Sequence, residues 1–320
     1  MNDQEYAYDV VVVGGGPAGL NAALVLGRAR RRVAVVDAGE PRNAPAAHLH
    51  GFLSRDGMPP AELLAVGRAE VARYGVEVFE GRVTHVERAD PGLVVSLAQG
   101  PSLRARHVLV ATGLRDELPP VPGARERWGL DVMHCPYCHG YEVRDAPLGV
   151  LGTHPLSVHH ALLVRQWSAD VVFFPHTFAL TDEDGERLAA REIGVAEGEV
   201  ARLVVEDDRL RGVELAGGRV VRRDAVFLAP RMVPNDALLT GLGCEKDGNG
   251  AVVTDPAGRT SVPGVWAVGN AADPFAALIT AASAGAGAAF ALNHDLVEEE
   301  IAAAVASRHR GEAEAGALTG

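Results

Sequence analysis

The chain has 320 residues, 48% of them apolar, which is long enough for two domains or one elaborated α/β domain with real cores. A formal charge of −12 without Lys/Arg clusters argues against nucleic acid and anionic membrane as partners. Met1 to Tyr8 is polar and acidic, with no charged region leading into an apolar one, and no run reaches membrane-spanning length, so a cytoplasmic protein is expected.

The first element is the β-branched run Asp9 to Val13. It breaks into Gly14-Gly15-Gly16-Pro17-Ala18-Gly19 and continues as an Ala/Leu helix to about Ala29. In such a strand, turn and helix, Gly14 permits the tight turn, Gly16 lets a pyrophosphate approach the backbone and Gly19 allows close helix-strand packing. The helix N-terminus faces the phosphates. A second strand, Arg32 to Val36, ends in Asp37, the acidic residue expected to bind a ribose hydroxyl. A free 2′-hydroxyl at this site means FAD or NAD rather than NADP.

Pro41 to Pro60 is loop-rich and carries Arg42, Asn43, His48 and His50; following the ribose-binding strand, it is positioned to run along a cofactor. Val76-Phe79, Val83-Val86, Leu93-Leu97 and Leu103-His107 read as a small antiparallel insertion. A buried strand then enters the turn Ala111-Thr112-Gly113. Prolines 119, 120 and 122 punctuate a linker, and a domain boundary is expected near Leu114 to Pro120.

His134-Cys135-Pro136-Tyr137-Cys138-His139-Gly140 contains two of the chain's three cysteines. The two-residue spacing lets both sulfurs meet across one helical turn and lowers the pKa of the exposed thiol, giving a dithiol able to attack and reclose. The alternative is a structural zinc half-site with His134 or His139 as third ligand, which lacks a second Cys/His pair at ligand spacing.

Leu148 to Leu151, Leu156 to Trp167 and Val171 to Phe174 begin a second strand-helix-strand unit. Only the first glycine of the fingerprint survives in Gly152-Thr153-His154-Pro155-Leu156-Ser157, and His154 falls where the backbone should meet a pyrophosphate. From Asp170 to Glu186 no Arg or Lys is available for a 2′-phosphate. Val200 to Val221 reads as a β-rich return, Ala225 to Ala229 as a closing strand, and Pro263 to Asn270 as a strand ending in Gly269-Asn270. An Ala/Gly-rich helix follows from about Phe275 to Leu292, its small residues suited to close packing or to a flat ring. The acidic cluster Glu298 to Glu300 and the tail read as a fraying helix and a disordered end.

In their order these motifs resemble the low-molecular-weight thioredoxin reductase family of FAD-dependent disulfide oxidoreductases, to about residue 295. The resemblance implies an α/β fold of two Rossmann-like, three-layer ββα nucleotide-binding domains, the second inserted into the first. The FAD domain is expected over 1–114 and 248–320, poorly ordered from about 296, and the dithiol-bearing, degenerate NADPH-type domain over 115–247. It implies FAD contacts at Gly14, Gly16, Pro17, Ala18, Gly19, Asp37, Arg42, Asn43, Val83, Ala111, Thr112, Gly113, Gly269 and Asn270. It also implies a homodimer, Cys138 next to the flavin, and Cys135 exchanging with substrate.

Three departures accompany it. His139 and Asn270 stand where the family has Asp, and the second domain lacks the NADPH glycine and arginine motifs. Cys-Pro-Tyr-Cys-His-Gly is similar to a subgroup of dithiol oxidases that close disulfides in small sulfur-containing natural products such as gliotoxin and holomycin. The implied reaction is oxidation of a small-molecule dithiol, with Cys135, Cys138, His139 and His134 as catalytic residues, no metal, and O2 taking the electrons to give H2O2. Two alternatives remain: a disulfide reductase driven by NADPH or ferredoxin, and a non-enzymatic flavin redox sensor.

Overall fold

The computed structural model of the chain describes residues 7–317. Most of the acidic N-terminal stretch and the last three residues of the tail lie outside the described residues. In chain order the elements are β1 (Tyr8–Val13), α1 (Pro17–Arg28), β2 (Val33–Asp37), α2 (Pro60–Ala72), β3 (Glu77–Glu80), β4 (Val83–Arg88), β5 (Leu93–Leu97), β6 (Leu103–Val110) and β7 (Leu114–Glu117). There follow β8 (Val132–Met133), α3 (Pro136–His139), β9 (Leu148–Leu151), α4 (Ser157–Val164), β10 (Val171–Phe174), α5 (Asp182–Ala190), β11 (Gly194–Val195), β12 (Val200–Glu206), β13 (Arg209–Leu215) and β14 (Val220–Arg222). The chain closes with β15 (Ala225–Leu228), β16 (Arg231–Pro234), α6 (Ala237–Gly241), β17 (Val265–Ala267) and α7 (Leu278–Ala317).

Two compact units result: Met1–Pro41, Glu62–Leu114 and Pro234–Gly320 form one, Arg42–Ala61 and Arg115–Val233 the other. The first is built on a seven-stranded sheet in the order β3-β2-β1-β6-β5-β4, with β17 also paired to β6. β1 is buried along its whole length because both faces of the sheet are covered, as in parallel sheets generally. Side chains alternate across a strand, so Val10 and Val12 pack with Ala22, Leu26, Leu292 and Leu296, while Val11 and Val13 pack with Ala34, Val36, Val95 and Leu239. The expected antiparallel insertion is smaller than the sequence pattern suggests. β3 pairs parallel with β2, and only β4, β5 and the start of β6 run antiparallel.

α7 passes well beyond the predicted end near Leu292 and runs through the acidic cluster. Arg106 bonds Glu299 (2.7 Å) and Glu300 (2.8 Å), Arg31 also pairs with Glu300, and His107 Nε2 lies 3.0 Å from Glu299. These bonds, with the His107 contact foremost, hold the Glu299 carboxyl down at about 2. Glu299 and Glu300, like charges that would repel on a solvated helix, are here each paired with an arginine.

The second unit has a five-stranded parallel sheet, β11-β10-β9-β15-β8, and the antiparallel ribbon β12-β13-β14. Leu148 and Val150 of β9 pack with Val158, Ala161 and Val164 of α4, while Leu151 and Phe174 join Leu203, Leu210 and Val213 of the ribbon.

Candidate active site

At the C-terminal ends of the first sheet's parallel strands, four turns converge by register. β1 lies between β2 and β6, and β17 pairs β6 from Val265↔Val108 to Ala267↔Val110, which brings Gly14, Asp37, Ala111 and Gly269 to one edge. Open α/β sheets bind ligands at this edge. Gly14 has φ +109°, and a Cβ there would lie 2.4 Å from the Ala111 carbonyl oxygen. A Cβ on Gly19 would stand 1.9 Å from the Gly14 carbonyl, so helix and strand pack as closely as backbone permits.

Gly16 differs, since a Cβ there would meet nothing within 4 Å. The space over this turn is open, no side chain caps the N-terminus of α1, and the Asp37 carboxylate reaches the turn, where a Cβ on Gly15 would sit 2.6 Å from it. These features fit a dinucleotide whose pyrophosphate takes helix N–H groups and whose ribose hydroxyl donates to Asp37.

The other residues expected at the cofactor fall into distinct settings. Thr112 Oγ1 donates to the Asn235 carbonyl (2.7 Å) and Asn235 Nδ2 to that of Thr112 (3.0 Å), so Asn235, which the sequence reading missed, braces the second turn. Val83 is buried in the core at the start of β4. Asn270 donates its amide N–H groups to Asp273 O and Ala276 O, both at 3.0 Å, where a carboxylate would be repelled. The N–H groups expected to face a cofactor therefore fasten the loop before α7. Arg42 makes a bidentate pair with Asp116 (2.8 and 2.8 Å), and Asn43 accepts from Ala46 N–H; both belong to the second unit with the dithiol. On α7, a Cβ on Gly285 would stand 2.0 Å from the Ala18 carbonyl, so this small residue serves helix-helix packing.

Cys135 and Cys138 form a disulfide with Cα atoms 5.3 Å apart. Cys135 caps α3, and its Sγ accepts from Cys138 N–H at 3.2 Å, a contact that favours the thiolate once the pair is reduced. Gly140 has no room for a side chain, because a Cβ would meet Pro136 O at 2.5 Å and the Trp167 ring at 2.8 Å. Trp167 in turn receives Tyr137 edge to face, 5.5 Å between centroids. Among the described residues no group of three His, Cys, Asp or Glu is placed to hold a metal ion, and no helix is long and apolar enough to cross a membrane.

Both flanking histidines are held below their ordinary pKa, chiefly by burial, and rest neutral at pH 7. His134 Nδ1 lies 3.3 Å from the Leu228 carbonyl, and its ring meets His160 edge-on at 5.7 Å. His160 is pushed down to about 4 by burial and by His134, and its Nε2 has no partner. For His139 the nearby Glu142 opposes burial and His50 reinforces it.

In the second strand-helix turn the backbone is differently employed. Ser157 Oγ accepts from Thr153 N–H (3.2 Å) and His154 N–H (3.1 Å), and His154 Nδ1 accepts from Leu156 N–H (3.1 Å). The space beside Gly152 is filled by the Pro175 carbonyl, 2.5 Å from where a Cβ would stand. His176 accepts from Val200 N–H at 3.0 Å.

Comparison with known proteins agrees with this architecture. The chain is 61% identical to the solved structure of HlmI, with a TM-score of 0.93 over 95% of this chain and 97% of that one. It is 34% identical to the structure of a putative thioredoxin reductase TrxB from Bacillus anthracis, TM-score 0.88, over 92% and 99%. The thioredoxin reductase sirT of Leptosphaeria maculans is 32% identical over 315 residues, 92% of this chain and 96% of that protein. The family model for pyridine nucleotide-disulphide oxidoreductases matches residues 8–286. The chain thus belongs to the pyridine nucleotide-disulphide oxidoreductase family, as a thioredoxin reductase-like, FAD-dependent disulfide oxidoreductase.

Proposed function

We propose that the protein is a dithiol oxidase that closes an intramolecular disulfide in a small natural-product dithiol, with O2 as final electron acceptor and H2O2 as product. One contrast carries this reading: a redox disulfide flanked by neutral imidazoles shares its unit with a strand-helix turn whose N–H groups are already bonded to Ser157 and His154. The likeness to HlmI supports it.

The substrate thiolate attacks the disulfide at Cys135, the Cys135–Cys138 bond breaks, and Cys138 leaves as thiolate. The substrate's second thiolate attacks the mixed disulfide and releases Cys135, so the substrate departs oxidised and the enzyme pair is left reduced. His139, with His134 as the second candidate, takes the thiol protons and returns them. When bound, FAD supplies a two-electron acceptor that oxygen reoxidises, held by the turns at Gly14 to Gly19, Ala111 to Gly113 and Gly269, and by Asp37. Arg42, Asn43, Val83 and Asn270 belong to the same proposal, as do a homodimer, a cytoplasmic location and the domain roles.

The competing reading is a thioredoxin reductase driven by NADPH or ferredoxin, which the names of several relatives favour. An oxygen electrode with peroxide detection separates the two. A small dithiol should consume one O2 per disulfide closed and release one H2O2, whereas NADPH with thioredoxin should give no turnover. NADPH-dependent reduction of thioredoxin without dithiol-dependent oxygen uptake would reverse the assignment, and steady turnover of either kind excludes a sensor.

A further inference from the structure

The two histidines beside the disulfide occupy unlike surroundings. His134 sits against a backbone carbonyl, with the half-buried Arg42–Asp116 pair and His160 near it. His139 is under the electrostatic influence of Glu142 and His50, two members of a side-chain row assembled from two distant stretches of the chain. Glu142 follows it by three residues, while His50 and Asp56 come from the segment Arg42–Ala61. His50 Nε2 lies 3.4 Å from Glu142 Oε1, and His50 Nδ1 lies 3.3 Å from Asp56 Oδ2. Asp56 is itself anchored by Gly51 N–H at 2.9 Å. Side-chain exposure is 45% at Glu142, 20% at His50 and 66% at Asp56, so the middle member of the row is the most enclosed and both ends reach solvent.

We propose that Glu142 and His50 are positioning residues for His139: the Glu142 carboxylate supports the imidazole as it takes a thiol proton, and His50, tethered by Asp56, competes for that carboxylate. The inference rests on the dithiol oxidase reading for its chemistry. In that reaction the substrate thiol gives its proton to His139 as its sulfur bonds to Cys135 and the Cys135–Cys138 bond breaks. The imidazolium that forms is stabilised by a carboxylate three residues further along the chain. Among the described residues Glu142 and His50 are the ionisable groups acting on His139, with Asp56 behind His50 and the cysteine thiols added on reduction. Their influences on His139 have opposite signs, because a carboxylate favours the imidazolium and a second imidazole, once protonated, disfavours it.

Replacing the two residues therefore moves His139 in opposite directions, which a loss of packing cannot do. Full-length protein with 13C-labelled histidine rings is titrated by NMR, with His139→Gln identifying the resonance. His139 should titrate below 6.5 in the unaltered protein, higher in His50→Gln and lower still in Glu142→Gln. Midpoints that coincide in all three proteins, or that both variants move the same way, would overturn the proposal. Anaerobic reduction by dithiothreitol adds a second readout. Glu142→Gln should slow it roughly 3- to 30-fold, short of the roughly 100-fold or greater loss expected for His139→Gln. Opposed NMR shifts with no dithiol reduction would leave the row standing and refute the oxidase reading, whereas rapid reduction with coincident midpoints would refute the row alone.

Discussion

The two strand-helix turns, one in each unit, show how one local geometry is kept open or closed by a few side chains. At the first, nothing in the polypeptide approaches the position of a Gly16 Cβ, and no side chain caps α1. At the second, Ser157 and His154 take three N–H groups, Pro155 removes a fourth, and the Pro175 carbonyl fills the space beside Gly152. The first turn leaves its space open, and the second is satisfied by its own side chains. An N–H already bonded within the chain has nothing to offer a pyrophosphate until that bond breaks.

The sharpest way to break the comparison is at the first turn. Gly19→Ala places a methyl 1.9 Å from the Gly14 carbonyl and should cost roughly 3 kcal/mol or more with loss of bound FAD, as overpacking against backbone has no relief. Gly16→Ala meets no atom of the chain, so the apoprotein should melt as before; with the proposed pyrophosphate in that room, FAD affinity should fall by about tenfold or more. Thermal melts of the apoproteins with FAD titrations test both. Equal destabilisation by the two substitutions would contradict the assignment of that space.

In the second unit, α4 carries the buried His160, 9% exposed, whose pKa of about 4 lies below its ordinary 6.5. A folded-state pKa depressed below the unfolded one means stability is fully present above 6.5 and is lost as pH falls toward 4, by up to roughly 3 kcal/mol. Denaturant melts across that window should show the loss, and His160→Phe should flatten it; an unchanged slope would contradict the burial argument. Ser157→Ala should have a smaller effect, about 1–2 kcal/mol, because Thr153 and His154 N–H lose a buried acceptor but gain partial access to water. This variant should gain no useful NADPH affinity, since His154 and Pro155 remain.

Much of this was legible in the sequence where one physical requirement selects one residue type. The run at β1, the close-packed glycines at 14 and 19, and the limits of β9 and β10 follow from burial on both faces and from close backbone approach at the turn. The obstruction at His154 was also visible, but Ser157 as the acceptor that closes the turn was not, because a serine at a helix start signals only an ordinary cap. Glu142 stood three residues from His139, a spacing that could have marked it. His50 and Asp116 carried no signal, since nothing local couples residues so far apart in the chain. At Glu299 and Glu300 the helix continues where fraying was expected, because that expectation rested on like charges alone, while Arg31, Arg106 and His107 arrive from distant strands and turns.

The most direct measurement of the central claim is a pair of anaerobic stopped-flow traces on the FAD-loaded enzyme, one with a small dithiol and one with NADPH. The open first turn and self-satisfied second turn predict rapid bleaching by the dithiol, return of the yellow colour with peroxide on admitting air, and scarcely any bleaching by NADPH. Reduction by NADPH at catalytic rates, saturating at micromolar concentration, would contradict the account and restore the second unit as a nucleotide-binding domain.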